Sequence, residues 1–192
     1  PLHAGPLAAL SGRLLGEQRQ GYYRPQPIGK ATAILPEDKA MVLDTQVWKA
    51  LWKTMQAELA ALPPAENERI REAALLGLLQ RHLWAVAAPL SPTDQNGTTD
   101  VSLYDYARVS AAMAVCLSAE GATDETPALL IGGDVSGVQD WLYTFGSRGA
   151  AKNLRGRSFY LQLLSEVIAL YVLRELDLPL CNLLYAGGGN FY

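Results

Sequence analysis

The chain has 192 residues, 49% of them hydrophobic and 18% charged, with a formal net charge of −3. That is room for one ordinary domain, or for one domain and part of another, with enough apolar material for a core. It excludes an overall basic field that would recruit nucleic acid, a membrane span of ~20 apolar residues, and an N-terminal secretory signal.

Residues 1–40 are rich in Gly, Pro and Ala and read mostly as loop. An amphipathic helix follows, with Trp48, Leu51, Trp52, Met55, Leu59 and Leu62 on one face, stopped by Pro63-Pro64. A second helix is predicted over about 66–87, ending before Pro89, and the polar loop "PLSPTDQNGTTD" leads to a third at about 102–118. That third helix carries Leu103, Tyr106, Ser110, Met113 and Leu117 on one side, and Ser102 with Asp105 has the spacing of a capping box. The small, polar "SAEGATDETP" marks a boundary, giving a helical region over 1–125 and a second domain from 126 to 192.

Beyond Pro127 the pattern changes. "ALLIGGDVSG" reads as a buried strand running into a turn, "VQDWLYTF" as a short helix, and "RSFYLQLLSEVIALYVLREL" as a long helix over 157–176. That helix has only a narrow polar stripe of Gln162, Ser165 and Glu166, so a sheet should cover it. "CNLLYAGGG" reads as a second strand and "NFY" as the start of a third, with residues 129–134 and 182–187 expected side by side. The fold class is therefore α+β, a helical region followed by half of a ferredoxin-like layer.

Four features bear on chemistry. Asp134 ends the first strand, where a carboxylate can hold a divalent cation; alternatively Asp134 or Ser136 caps the helix that follows. Arg148, Lys152, Arg155 and Arg157 form a basic cluster ahead of the long helix, suited to polyphosphate or an RNA backbone, or else to pairing with acids elsewhere. Gly187, Gly188 and Gly189 permit positive φ and close approach of a ligand or another backbone, and they match no standard phosphate loop. The only histidines are His3 and His82, the latter read as a core or boundary residue, and Cys116 and Cys181 read as buried thiols of a reducing cytosol.

Taken together, "GGDVSGVQDWLYTFGSRGAAKNLRGRSFYLQLLSE" and "NLLYAGGGNFY" resemble the first palm domain of the large signature subunit of type III CRISPR effector complexes, of the Csm and Cmr kinds. The segment from "LLQRHLWAVAAPL" to "YARVSAAMAVCL" is similar to the part joining that subunit's HD-type domain to its palm, so the resemblance covers roughly residues 75–192. It implies a longer multidomain protein with an N-terminal HD nuclease-like domain and two cyclase-like palms. In such a protein, target RNA bound by the crRNA complex activates conversion of ATP to cyclic oligoadenylates, often with cleavage of single-stranded DNA. Catalysis would belong to a Gly-Gly-Asp-Asp turn in the second palm, which this chain lacks. Here Gly189 and Asn190 stand in place of metal-binding acids, as in a non-catalytic palm. Tyr106 stands where the family motif has His, and no His-Asp dipeptide occurs, so a degenerate HD-like region without metal or nuclease activity is expected over 1–125.

The expectations that follow are specific. Asp134, Ser136, Gly137, Gly187, Gly188, Gly189 and Asn190 should bind a nucleotide, ATP, with Mg²⁺ or Mn²⁺ at Asp134. Arg148, Lys152, Arg155 and Arg157 should meet phosphate or RNA. The partners would be crRNA, target RNA and other effector subunits in the cytoplasm, with no membrane. Two alternatives stand beside this reading: a purely structural scaffold of the ribonucleoprotein, and a stand-alone GGDEF-type nucleotidyl cyclase, against which Gly189-Asn190 argues.

Overall fold

A computed structural model describes residues 7–8, 22–29, 37, 44–64, 66–88, 101–119, 122–123, 125–144 and 150–192. His3 and Arg148 lie outside the described residues. The chain divides into two compact units, Pro1–Arg108 and Val109–Tyr192.

The first unit holds a two-stranded antiparallel ribbon, β1 (Leu7–Ala8) with β2 (Tyr22–Tyr23), and the helices α1 (Thr45–Ala60) and α2 (Glu68–Leu83). Helix α3 (Leu103–Leu117) starts in it. Each helix start has a side-chain cap: Asp44 accepts from the Gln46 N–H, Asn67 from the Ile70 N–H, and Ser102 Oγ from the Asp105 N–H. Ser102 and Asp105 do interact as the capping-box spacing led one to expect, the Ser102 hydroxyl capping the helix and donating in turn to the Asp105 carboxylate at 2.7 Å. On α1 only Leu51 and Met55 of the predicted stripe are buried, while Trp52 and Leu59 stay exposed.

His82 is wholly buried on α2, as the sequence suggested, and joins α2 to α1 by a 2.9 Å hydrogen bond from Nε2 to Glu58. Glu58 also pairs with Arg81 at 3.4 Å. The bond to a carboxylate places the ring proton on Nε2, and Nδ1 is left buried without a partner among the described residues.

Helix α2 stops at Leu83, short of the predicted 87. The reason is local. The Trp84 indole donates to the Gln26 carbonyl at 2.8 Å, and the buried run Ala85–Ala88 leaves the helix through a turn, the Ala88 N–H bonding to the Val101 carbonyl and the Leu103 N–H to the Val86 carbonyl. Those four residues are small enough to be enclosed, and their backbone groups find partners in the 101–103 segment. On α3 the buried side is also not the predicted one. Tyr104 and Ala112 are enclosed, whereas Tyr106, Met113 and Leu117 are exposed.

The second unit has β3 (Gly133–Asp134), α4 (Val138–Tyr143), α5 (Ala150–Glu175), a 3₁₀ turn at Leu180–Asn182, β4 (Ala186–Gly187) and β5 (Asn190–Phe191). The α+β class is as expected. The strand neighbours are not: β5 lies between β3 and β4, antiparallel to both, so residues 129–134 and 182–187 flank the returning strand instead of touching. Parallel β3 and β4 with a strand inserted between them make a split β–α–β unit. The segment predicted as strand from 181 begins as the 3₁₀ turn, and pairing starts only where Leu184 and Tyr185 bond to Tyr192.

Helix α5 runs 26 residues and starts seven residues earlier than predicted, so Lys152, Arg155 and Arg157 lie on it and not before it. Its buried stripe is Leu161, Ser165, Ala169 and Leu173, one residue per turn. Of the predicted polar stripe, Ser165 is buried and Gln162 half-buried, while Glu166 stays exposed. Ser165 satisfies its hydroxyl on the Leu161 carbonyl at 2.9 Å, and Gln162 donates to the Ala186 carbonyl at 3.1 Å. Small residues at 165 and 169 let the helix sit close to strands that are themselves built from Gly and Ala. The helix closes in a Schellman motif, with the Leu178 N–H bonded to Leu173 O at 2.8 Å and Asp177 left-handed at φ 50°.

Two predictions test these contacts. A methyl group on Gly133 would meet the Phe191 ring at 2.2 Å, directly across the β3–β5 pair. Gly133→Ala should therefore destabilise the second unit by about 1–3 kcal/mol, the cost of overpacking, read from denaturant midpoints. Glu58→Ala, which leaves both nitrogens of a buried imidazole unpartnered, should cost about 1–3 kcal/mol in the first unit, and Glu58→Gln, which keeps an acceptor, distinctly less.

Candidate functional site

The strand order brings two turns together at one end of the sheet. Asp134 pairs with Asn190, the last residue of β3 against the first of β5, and the Val135 N–H then donates to the Gly189 carbonyl at 2.8 Å. The turn Asp134–Gly137 thus abuts the turn Gly187–Asn190. A side chain on Gly189 would strike Val138 at 3.0 Å, which is how near the hairpin comes to the start of α4. Of the sequence-predicted nucleotide residues, all seven fall in these two turns.

The three glycines have different duties. Gly188 and Gly189 have φ of 62° and 97°, the two left-handed positions of a two-residue type I′ hairpin loop. Gly187 has no positive φ. It is buried, and a Cβ there would press on Tyr185 Oη and Gln162 Oε1 at 3.0 and 3.3 Å, a tight fit that these side chains would have to relieve. The third glycine is thus accounted for inside the protein, and only Gly188, exposed with open space around it, leaves a bare backbone available to a ligand.

Neither Asp134 nor Ser136 caps α4. Gly137 is its N-cap residue, left-handed at φ 74°, with no side-chain bond to the helix. Both side chains are exposed beside the hairpin, so the capping role that competed with ligand binding is vacant. Asp134 is the single carboxylate there. Among the described residues no three His, Cys, Asp or Glu side chains gather to hold a metal. Asp134 fits Mg²⁺ or Mn²⁺ only as one ligand shared with waters and the phosphates of a bound nucleotide, a common arrangement for Mg²⁺.

Next to the turns lies a cavity of about 270 Å³ between α4 and α5, walled by Val135, Ser136, Val138, Trp141, Tyr160 and Leu164. Trp141 and Tyr160 stand 5.7 Å apart, ring to ring, at 45°. Sequence reading did not single out this aromatic wall, since one Trp on a six-residue helix carries no periodic signal.

The basic cluster is divided. Arg157 turns inward, its guanidinium 5.3 Å above the Trp141 ring and donating to the Trp141 carbonyl. It fastens α4 to α5 and is not a free phosphate ligand. Lys152 and Arg155 are exposed and make no hydrogen bond or ion pair among the described residues.

Comparison with known proteins follows from this geometry. Residues 127–192 match the family described as Csm1 subunit domain B. The chain is 35% identical over 176 residues to the CRISPR system single-strand-specific deoxyribonuclease Cas10/Csm1 (subtype III-A) of Mycobacterium tuberculosis, covering 82% of this chain and 21% of that protein. It is 33% identical over 150 residues to the protein of the same description from Methanocaldococcus jannaschii, covering 62% and 19%. The chain thus spans about a fifth of the length of these curated relatives. Csm1 of T. onnurineus superposes with a TM-score of 0.70 at 25% identity, covering all of this chain and 25% of that one. A Csm1–Csm4 cassette in complex with cA4 gives 0.73 at 27% identity, with the same coverage. The relatives and structures matched here are of the Csm kind, a distinction the sequence alone had left open. This chain belongs to the Cas10/Csm1 family, the large subunits of type III CRISPR complexes, with residues 127–192 matching the family's domain B.

Proposed function

We propose that the split β–α–β unit is the first half of a non-catalytic palm, and that it helps the full-length subunit hold ATP for cyclic oligoadenylate synthesis. The observation that carries this reading is the meeting of two turns beside an aromatic-walled cavity. Gly188 offers unhindered backbone N–H, Ser136 a free hydroxyl, and Asp134 a carboxylate for a shared Mg²⁺ or Mn²⁺. The neighbouring cavity, flanked by Trp141 and Tyr160, suits a planar base. Phosphates would then lie along the glycine turn while the catalytic acids come from a second palm. Partners would be crRNA, target RNA and other effector subunits of a cytoplasmic complex.

A purely structural role in the ribonucleoprotein is the second reading. It is favoured by Gly187 and Arg157, both of which serve the protein's own packing. A stand-alone GGDEF-type cyclase is disfavoured, because the hairpin carries Gly189-Asn190 in place of acids.

Calorimetric titration of ATP into the full-length subunit decides between them. Valine at 188 would strain a left-handed φ, so Gly188→Asn is the better variant; Asn tolerates that conformation and still projects a side chain into the approach. Gly188→Asn and Asp134→Ala should each weaken ATP by roughly 1.5–3 kcal/mol, one to two decades, the Asp134 effect appearing mainly with Mg²⁺ present. Unchanged affinity in both folded variants would leave the structural reading ahead.

A further inference from the structure

Backbone bonding along an antiparallel hairpin alternates between hydrogen-bonded and non-hydrogen-bonded pairs. Tyr185 and Tyr192 form a bonded pair, the Tyr192 N–H reaching the Tyr185 carbonyl at 2.9 Å. The next pair, Ala186 with Phe191, is therefore a non-bonded one, and the Ala186 carbonyl turns away from β5. Gln162 of α5 meets it there, donating from Nε2 at 3.1 Å. The same nitrogen donates to the Glu166 carboxylate at 2.7 Å. With two acceptors on its nitrogen, the amide cannot flip without setting oxygen against oxygen. Its Oε1 is thereby held against buried Gly187, 3.3 Å from where a Cβ would stand. One side chain thus touches both residues that precede Gly188 at the hairpin tip.

Helix α5 also walls the cavity beside the two turns, with Tyr160 and Leu164. Tyr160 and Gln162 stand about 200° apart around the helix, so α5 holds the cavity on one flank and the hairpin on the other. We propose that Gln162 is the positioning residue of the two-turn site. Its bond to the Ala186 carbonyl fixes the glycine hairpin relative to the cavity, and Glu166 keeps the amide in its donating orientation. The contacts that carry this lie within the chain; what the hairpin receives, a nucleoside triphosphate, rests on the nucleotide reading above.

Three variants of the full-length subunit test it. Gln162→Met keeps the side-chain length and removes both donors, and Gln162→Glu keeps the shape but sets a carboxylate against Glu166 and the Ala186 carbonyl. Gln162→Lys restores a donor group that can serve both acceptors. The first readout is hydrogen exchange at the Tyr192 and Val135 N–H groups, which close the hairpin and tie it to the neighbouring turn. Exchange there should quicken about tenfold in Gln162→Met and Gln162→Glu, and return towards the wild-type rate in Gln162→Lys. Amides in the middle of α5 should keep their wild-type rates, which separates a loosened hairpin from a loosened fold. The second readout is calorimetric titration of ATP, with affinity expected to fall about tenfold in the first two variants and to recover in the third. A role in packing alone would follow side-chain bulk and would not be rescued by a lysine. Unchanged exchange at Tyr192 and Val135 in both donor-less variants overturns the proposal, and so does quickened exchange with ATP affinity held at the wild-type value. If the exchange pattern appears but the wild-type subunit binds no ATP, the nucleotide reading fails while Gln162 stands as the anchor of the hairpin.

Discussion

Everything that matters in the second unit depends on Asn190–Phe191 entering between two parallel strands. Each of β3 and β4 is a two-residue strand and neither touches the other. Backbone pairing on both edges of β5 is what makes them a sheet, and the Phe191 ring seated over Gly133 fixes the register. A slip of one residue would send that ring to the opposite face and set a different residue against Asn190. The position of the candidate site is thus a consequence of strand register and not of any side chain within it.

That dependence explains the division between what the sequence disclosed and what it hid. Turn chemistry was legible because it is local. Glycines at 188 and 189 announce a tight hairpin, Gly137 sits at the start of a helix, and Ser102 with Asp105 announces a cap. Strand order was not, since an apolar run does not say which of two other runs it will lie beside. The buried sides of α3 and α5 were misjudged for a related reason. Periodicity finds a stripe, but on helices apolar nearly all round it cannot say which stripe the neighbours will cover. On α5 the covering was decided by size: Ser165 and Ala169 admit a glycine-rich sheet, where Leu163 and Val167 would hold it off.

The basic cluster shows the same limit at finer scale. Arg148, Lys152, Arg155 and Arg157 read as one patch while they were assigned to a loop, because neighbours in a loop can converge. Once α5 extends back to Ala150, helical phase places residues 155 and 157 about 200° apart. One guanidinium then falls against Trp141 and the other faces water. An identical run of charges therefore serves internal fastening on one side and remains available on the other.

The seven turn residues singled out in the sequence do lie side by side, and the reason is physical. They were chosen as two short turns, and the antiparallel pairing that joins β3 to β5 necessarily brings the end of one to the beginning of the other. With acids absent from the hairpin, its remaining contribution is shape: a left-handed glycine with open space before it, a hydroxyl freed from capping because Gly137 starts the helix without one, and a single carboxylate that can share a cation but not hold it alone. Each of these is weak alone; under the proposed nucleotide reading they would act together on a ligand that brings its own phosphates. The same economy accounts for why Gly187 could be given to the protein's interior without cost to the site, since the approach requires one bare peptide at the tip of the hairpin and the two flanking glycines are free to serve the turn and the packing beneath it.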